Sequence, residues 1–239
     1  MNLIADIGNT STKVAIFDSR HKILIRRMSE IDYPEIDKLT MSENVSRAIV
    51  SSVKEIPEFL DFLSKKIKFV QLLTYRTKLP FSIDYETPET LGSDRIAAVA
   101  AAHALYPGKS VLVIDAGTAI TYDLLSDNTF KGGNISPGIS MRFRALHEFT
   151  DKLPLITATG NYSFPGRNTT DAIAAGVVSG VIYEINEYIR TFEEKDPGIK
   201  ILISGGDGGM LRDKLQYHAE YVPDIVIDGL NYILEYNAK

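Results

Sequence analysis

The alternation of apolar and polar positions divides the chain into short, recognisable elements. Residues 3–7 form an apolar run that stops at Gly8-Asn9-Thr10-Ser11, and runs over 13–18 and 21–27 follow. Gly and Asn favour a tight reversal, so the first two runs predict a β-hairpin and the third its meander partner. Residues 57–66 place Phe59, Leu60, Phe62 and Leu63 at helical spacing between strand-like runs over 48–53 and 69–73. Residues 1–75 therefore predict three antiparallel strands and then a strand–helix–strand unit, a mixed α/β arrangement. Residues 74–89 hold two prolines and read as irregular. Ser93 is the expected cap of an Ala-rich helix over 94–106, closed by Pro107-Gly108.

The pattern then restarts. A strand over 110–114, a turn over 115–118 and strands over 120–125 and 128–134 repeat the opening of the chain. Asp6, Gly8 and Thr12 match Asp115, Gly117 and Thr121 at one constant offset of 109 positions. Two Asp-x-Gly turns, each between apolar strands, predict two similar lobes, taken as residues 1–108 and 109–239. No Gly/Ser-rich linker separates them. Farther on, residues 138–150 predict a helix. A long helix over 170–192 follows, capped by Asn168 or Thr169, with Val177, Val178, Val181, Ile182, Ile185 and Ile189 on its apolar face. Gly176 and Gly180 on that helix offer a surface for close helix packing. A strand over 200–204 runs into Gly205-Gly206-Asp207-Gly208-Gly209, a helix begins near Met210, and residues 229–236 predict a last amphipathic helix.

Composition narrows the chemistry. The 239 residues carry a net charge of −5 and no cysteine. Absence of cysteine removes disulfides, thiolate nucleophiles and cysteine–zinc sites, and fits a reducing compartment. The acidic balance argues against a general nucleic-acid binder. No run approaches the length of a membrane span, and the first residues lack a basic signal-peptide region, so a cytoplasmic protein is expected. His21, His103, His147 and His218 form no i,i+4 pair, which argues against a histidine metal site. His103 reads as a packed or surface residue rather than a base.

The two Asp-x-Gly turns are the strongest chemical signal. Gly8 lets the backbone approach an anion, the N–H groups and hydroxyls of Asn9, Thr10, Ser11 and Thr12 can donate to it, and Lys13 adds a positive charge. Thr118 and Thr121 repeat this arrangement, with Asp115 as a candidate cation ligand. A single such turn is an ordinary β-turn with Asp and Gly for conformational reasons; the pair points to a polyphosphate held with a metal. The glycine cluster at 205–209, between strand and helix, can lie against a flat ligand or a phosphate. It has neither the spacing of a dinucleotide fingerprint nor that of a P-loop. Gly92-Ser93-Asp94-Arg95 opens a helix, where a carboxylate can accept a hydroxyl proton and a guanidinium can bind a substrate carboxylate.

Taken in order, Asp6 to Lys13, Tyr85-x-x-Pro88, Gly92 to Arg95, Asp115 to Thr118, Gly132-Gly-x-Ile-x-Pro-Gly138, Gly166 to Thr169 and Ser204 to Gly206 closely resemble the type III pantothenate kinases. The resemblance runs from residue 1 to about 210 and implies an α/β fold of the actin/hexokinase/Hsp70-like superfamily: two ribonuclease H-like (actin-like ATPase) lobes with mixed sheets and flanking helices. It further implies transfer of the γ-phosphoryl of ATP to the primary hydroxyl of pantothenate, the first step of coenzyme A synthesis, by a homodimer that needs Mg2+ and a monovalent cation, K+ or NH4+. By motif, Asp6, Ile7, Gly8, Asn9, Thr10, Ser11, Thr12 and Lys13, with Thr118, would line the ATP phosphates, and Gly205 and Gly206 the adenosine. Asp94 would accept the proton. Tyr85, Gly92, Ser93, Asp94 and Arg95 would hold pantothenate, Thr169 would reach it from the neighbouring subunit unless Thr170 takes that role, and Asp115 would bind the monovalent cation. Two other readings stand beside this one: another small-molecule kinase of the superfamily, and a nucleotide-binding regulator without turnover. Neither a nucleic acid nor a membrane is expected as partner.

Overall fold

The computed structural model of the chain describes residues 1–157 and 162–238. Its elements run β1 (Asn2–Ile7), β2 (Thr12–Asp18), β3 (His21–Met28), α1 (Tyr33–Ser42), β4 (Arg47–Ser52), α2 (Pro57–Ser64), β5 (Phe69–Leu72), β6 (Ser82–Ile83) and, after a 3-10 turn at Pro88–Thr90, α3 (Ser93–Leu105). They continue with β7 (Val111–Ala116), β8 (Ala119–Ser126), β9 (Thr129–Pro137), α4 (Ile139–Glu148), α5 (Thr169–Lys195), β10 (Lys200–Ser204), α6 (Gly208–Arg212), β11 (Glu220–Tyr221) and α7 (Ile225–Asn237). Two compact units result. One comprises Met1–Gly108, Leu125–Gly132 and Asp224–Lys239; the other comprises Lys109–Leu124 and Gly133–Pro223.

In the first unit the sheet order is β3-β2-β1-β4-β5. The β1–β2 and β2–β3 pairs are antiparallel, as the hairpin and meander pattern predicts, while β4 joins β1 in parallel and β5 joins β4 in parallel. A parallel return needs a crossover, and α1 supplies it between β3 and β4. The apolar pattern did not reveal this helix. Its local signal is the start: Asp32 accepts from the Glu35 backbone N–H at 3.0 Å, and a proline occupies the first turn. Successive residues of β1 face opposite layers. Leu3, Ala5 and Ile7 pack with Ile36 and Leu39 of α1 and Phe59 and Leu63 of α2, while α3 and α7 pack together on the opposite side. There Asn2 donates to Asn231 (2.9 Å) and Glu235 (2.6 Å), Arg47 donates to Glu235 (2.6 Å), and Asn231 donates to the Ser19 carbonyl (2.8 Å). This polar network registers α7 on the strands, although the buried Asn2 Oδ1 accepts no hydrogen bond within it. The helix expected from Gly229 starts four residues earlier.

In the second unit the sheet order is β11-β10-β7-β8-β9, with β10 parallel to both β7 and β11. The tip of the β8–β9 hairpin, residues 125–132, belongs to the first unit, where Thr129 and Phe130 pair in parallel with Ser82 and Ile83 of β6. Leu112, Ile114, Ile120 and Tyr122 of the second sheet form one core with Ile139 and Phe143 of α4 and Val177, Val181, Ile185 and Ile189 of α5. A polar cluster borders it, with Tyr122 buried and Arg142 and Glu184 half-buried. The Tyr122 hydroxyl donates to Glu184 at 2.8 Å, and Arg142 donates to Glu184 (2.5 Å), to Ser136 (2.6 Å) and to the Pro137 carbonyl (2.8 Å). The Tyr122 ring stacks on Tyr188 at 4.0 Å between centroids. This group ties the end of β9 and the start of α4 to α5.

Two outcomes follow from this packing. A mid-helix Gly→Ala change ordinarily stabilises by about 0.5–1 kcal/mol. A Cβ on Gly229 would instead stand 1.7 Å from the Ala97 carbonyl oxygen of α3. Gly229→Ala is therefore expected to cost about 1–3 kcal/mol, read as a lower midpoint in urea unfolding. The second outcome concerns acid. Burial alone would raise the Glu184 carboxyl, but hydrogen bonds from Arg142, Ser136 and Tyr122 outweigh it and hold the group below its ordinary value of 4.5. A depressed carboxyl contributes stability above its unfolded value and loses it as pH falls through the folded one. Unfolding midpoints measured down a pH series should thus fall more steeply below pH 4.5 in the wild type than in Glu184→Gln; parallel curves would refute the coupling.

Candidate active site

The carboxyl end of β1 builds the first cluster. Asp6 stands opposite Lys13 of β2 and beside Ser51 of β4, and cross-strand partners share a face. The turn between β1 and β2 closes with the Gly8 N–H donating to the Ser11 carbonyl at 3.0 Å. Asn9 and Thr10 lie exposed at its tip, Gly8, Ser11 and Lys13 are half-buried, and Ile7 and Thr12 are buried. Ser51 then reaches the hydroxyl of Ser93 at 2.9 Å. That bond sets the N-terminus of α3, with Asp94 in its first turn, beside the strand end that carries Asp6. Ser93 is the first helical residue and Gly92 the cap, with no side-chain capping bond. The expected Ser93 cap is therefore one residue off, because its hydroxyl is engaged by Ser51. A Cβ at 92 would stand 2.4 Å from the Asp94 Oδ1, so a larger residue there would displace the Asp94 carboxylate. That oxygen accepts from the Arg95 N–H at 2.9 Å.

Arg95 is 6 % exposed. Its guanidinium lies 5.9 Å from the centre of the Tyr85 ring and 5.8 Å from that of Phe130. Tyr85 in turn covers Gly132, whose φ is +89° and whose missing Cβ leaves the ring 3.3 Å from that point. Gly92, Ser93, Asp94, Arg95 and Tyr85 thus gather within one unit, joined by Phe130, Gly132 and Ser51. The Gly132 motif was visible in the sequence. Phe130 and Ser51 gave no signal of their own, being one aromatic in a strand and one of two adjacent serines.

The second unit builds a parallel cluster. Asp115 lies in β7 with Ser204 of β10 beside it, and the turn that follows is held by the Gly117 N–H donating to the Ala119 carbonyl at 2.9 Å and the Gly138 N–H donating to the Thr118 carbonyl at 3.0 Å. Thr118 is exposed and Asp115 half-buried. The glycine cluster rests on this strand. Gly205, with φ +88°, comes so close to the Ala116 carbonyl that a Cβ would be 2.2 Å from it, and the Asp207 N–H donates to the same oxygen at 3.0 Å. Asp115, Thr118, Gly205 and Gly206 therefore gather at one strand end. Burial raises the Asp207 carboxyl. Asn168 caps α5, accepting from the Asp171 N–H at 2.9 Å, so Thr169 is the first helical residue and is exposed. Thr169 lines a groove of ≈ 680 Å³ with Arg142, Leu146, Leu153, Ile173 and Gly176. Among the described residues no three His, Cys, Asp or Glu stand together as a metal cage, and no helix is long and apolar enough to cross a membrane.

Known proteins share this fold, and several are related in sequence. Among solved structures, the chain superposes on a Campylobacter jejuni protein described as a Baf family transcriptional activator with a TM-score of 0.65 and 26% identity, covering 99% of this chain and 98% of that one. It superposes on a Listeria monocytogenes protein described as an N-acetylmannosamine kinase with a TM-score of 0.61 at 13% identity, covering 100% and 99%. The second shows the fold alone, that of the actin-like ATPases and sugar kinases. By sequence, the chain is 44% identical to the type III pantothenate kinase of Bacteroides fragilis over 99% of this chain and 98% of that protein. It is 41% identical to that of Phocaeicola vulgatus over the full length of both. The sequence profile of the family matches residues 2–191, and the chain belongs to the type III pantothenate kinases.

Proposed function

We propose that the two strand-end clusters carry out this family's reaction. The protein is a kinase that phosphorylates pantothenate with ATP, giving 4'-phosphopantothenate in the first step of coenzyme A synthesis. The observation that carries the assignment of roles is the Ser51–Ser93 bond, which sets Asp94 beside the Asp6 turn. Asp94 takes the proton from the primary hydroxyl of pantothenate as that oxygen attacks the γ-phosphorus, and the bond to the β,γ-bridging oxygen breaks to release ADP. Arg95, held between Tyr85 and Phe130, binds the pantothenate carboxylate. The 6–13 turn and Thr118 hold the phosphates, Gly205 and Gly206 the adenosine, and the reaction runs in the cytoplasm. Asp6 and Asp115 are oxygen donors and fit hard cations. Their carboxylates would hold such a cation, and the oxygen-only donor set suits Mg2+ and a monovalent cation rather than zinc. When bound, Mg2+ and the monovalent cation at Asp115 neutralise charge on the phosphates.

A second reading, a nucleotide-binding regulator without turnover, draws on the description of the Campylobacter relative. One assay separates them. ADP release should depend on pantothenate and fall by on the order of 10²–10⁴-fold in Asp94→Asn. It should also be far slower in sodium alone than in potassium or ammonium, with Asp115→Ala abolishing both rate and salt dependence. Pantothenate-independent rates would support the regulator, and equal rates in the three salts would remove the cation from Asp115.

We further propose a homodimer in which Thr169 completes the partner's acceptor site. The second unit leaves Met141, Phe149 and Tyr183 exposed, Phe149 at 85%. Among the described residues nothing lies within 4 Å of where a Cβ would stand on Gly176 or Gly180. The close-packing surface of α5 is thus available to a second copy, and a two-fold interface would make two equivalent sites. Mixing inactive Asp94→Asn chains with inactive Thr169→Arg chains, under subunit exchange, should restore activity, because both defects then fall in one site and leave the other intact. If Thr169 serves its own chain, every site keeps one defect and the mixture stays inactive.

A further inference from the structure

We infer that His103 is a positioning residue for the acceptor side of the reaction, acting through the tip of the β8–β9 hairpin; the inference rests on the acceptor site proposed above. His103 lies in the last turn of α3, about two and a half turns from Asp94 and Arg95 on the same helix. Its ring sits between Phe81 and Tyr232, with centroids 5.7 and 5.9 Å away. Both ring nitrogens are engaged: Nε2 lies 2.7 Å from the Asn128 Oδ1 and Nδ1 lies 3.2 Å from the Tyr232 hydroxyl.

The partners assign the tautomer. An amide oxygen only accepts, so Nε2 carries the proton and donates, and Nδ1 accepts from Tyr232. The orientation of the Asn128 amide agrees, since its Nδ2 faces the Pro80 carbonyl at 3.4 Å. Burial raises the Tyr232 phenol, which keeps it a donor. His103 thus makes one directed bond to the hairpin tip.

That tip is what the acceptor site stands on. Asp127 and Asn128 both have positive φ, 51° and 56°, the left-handed pair that a two-residue hairpin turn requires. The Asn128 carbonyl accepts from the Ser82 N–H at 3.1 Å, and the Phe130 carbonyl accepts from the Asp84 N–H at 2.9 Å. Fixing Asn128 therefore fixes two things at once. On β9 it places Phe130 against Arg95 and Gly132 under Tyr85. Through β6 it places Asp84, and hence Tyr85 itself. His103 touches no proposed substrate position, yet both walls around Arg95 descend from the residue it holds.

Steady-state kinetics on the full chain test this. His103→Leu removes the donor and keeps an apolar side chain. Asn128→Gly removes the acceptor at a φ that glycine adopts without strain, so it carries the test if His103→Leu does not fold. Each should raise the KM for pantothenate about threefold to tenfold, the range of one lost hydrogen bond, and leave the KM for ATP within about twofold. The double variant should be no worse than the worse single one. His103→Gln, which can still donate to Asn128, should return the KM for pantothenate to within about twofold of wild type. An unchanged KM for pantothenate in both single variants, equal rises in both KM values, or additive effects in the double variant would overturn the inference. Arg95→Ala separates the two readings. If it raises the KM for pantothenate while His103→Leu does not, only the role of His103 fails; if Arg95→Ala also leaves it unchanged, the acceptor-site reading fails.

Discussion

Parallel strands deliver their carboxyl ends to one edge, and the chain must leave that edge without covering it. Both units meet this constraint. In the first, β1 and β4 end together and the chain departs from each by a turn, so Asp6, Lys13 and Ser51 share a face at the edge. In the second, β7 and β10 end together and place Asp115 beside Ser204. What seals each edge is a short approach by another segment. Ser51 meets Ser93 of α3 in the first unit, and the Gly205 backbone meets the Ala116 carbonyl in the second. A larger side chain at either contact would push the incoming segment away from the edge, and the groups it carries with it.

Phosphoryl transfer makes such placement matter more than reactive side chains do. The transferred group needs charge beside it and an aligned hydroxyl, with little covalent assistance. The chain has no cysteine, and its strand-end clusters offer carboxylates, hydroxyls, one buried guanidinium and backbone amides. Arg95 illustrates the economy of the design. A buried charge is costly unless it is engaged, and the faces of Tyr85 and Phe130 lie within cation–π reach of it. The ring that supports the charge is itself seated over Gly132, where the φ of +89° favours glycine and a Cβ would press on the ring at 3.3 Å. Removing one atom of space at Gly132 would therefore be felt at the guanidinium.

The features legible in the sequence were those with a period or a repeated motif. The first three strands, the strand–helix–strand unit, the long helix α5 and the two Asp-x-Gly turns all announced themselves through alternation, helical spacing or a constant offset. α1 did not, because only Ile36, Leu39 and Thr40 of its ten residues are buried, and a short helix with a thin stripe resembles a polar loop. Its capping pair, Asp32 and Glu35, was the available clue. The start of α7 was hidden by reading Gly229 as a boundary, when it is the point of closest approach to α3. The pairing of Glu184 with Tyr122 and with Arg142, and of His103 with Asn128, joins residues 62, 42 and 25 positions apart. No local pattern encodes such partners, and each residue alone reads as a surface charge or a packed ring.

α3 shows how packing turns these separate contacts into one device. Arg95 and residues 96–102 are all buried, and five of those residues are alanine. A helix this deep needs small side chains toward α7, which comes in closest where Gly229 faces Ala97. A rod wedged in this way transmits displacement rather than absorbing it, because close-packed interiors are stiff. Its first turn holds Asp94 and Arg95 against the strand edge through Ser93, and its last turn holds the β8–β9 tip through His103. Phe130 and Gly132 then return from that tip to the first turn. The helix, the hairpin tip and β6 close a loop of contacts around Arg95, and each member is positioned by the other two.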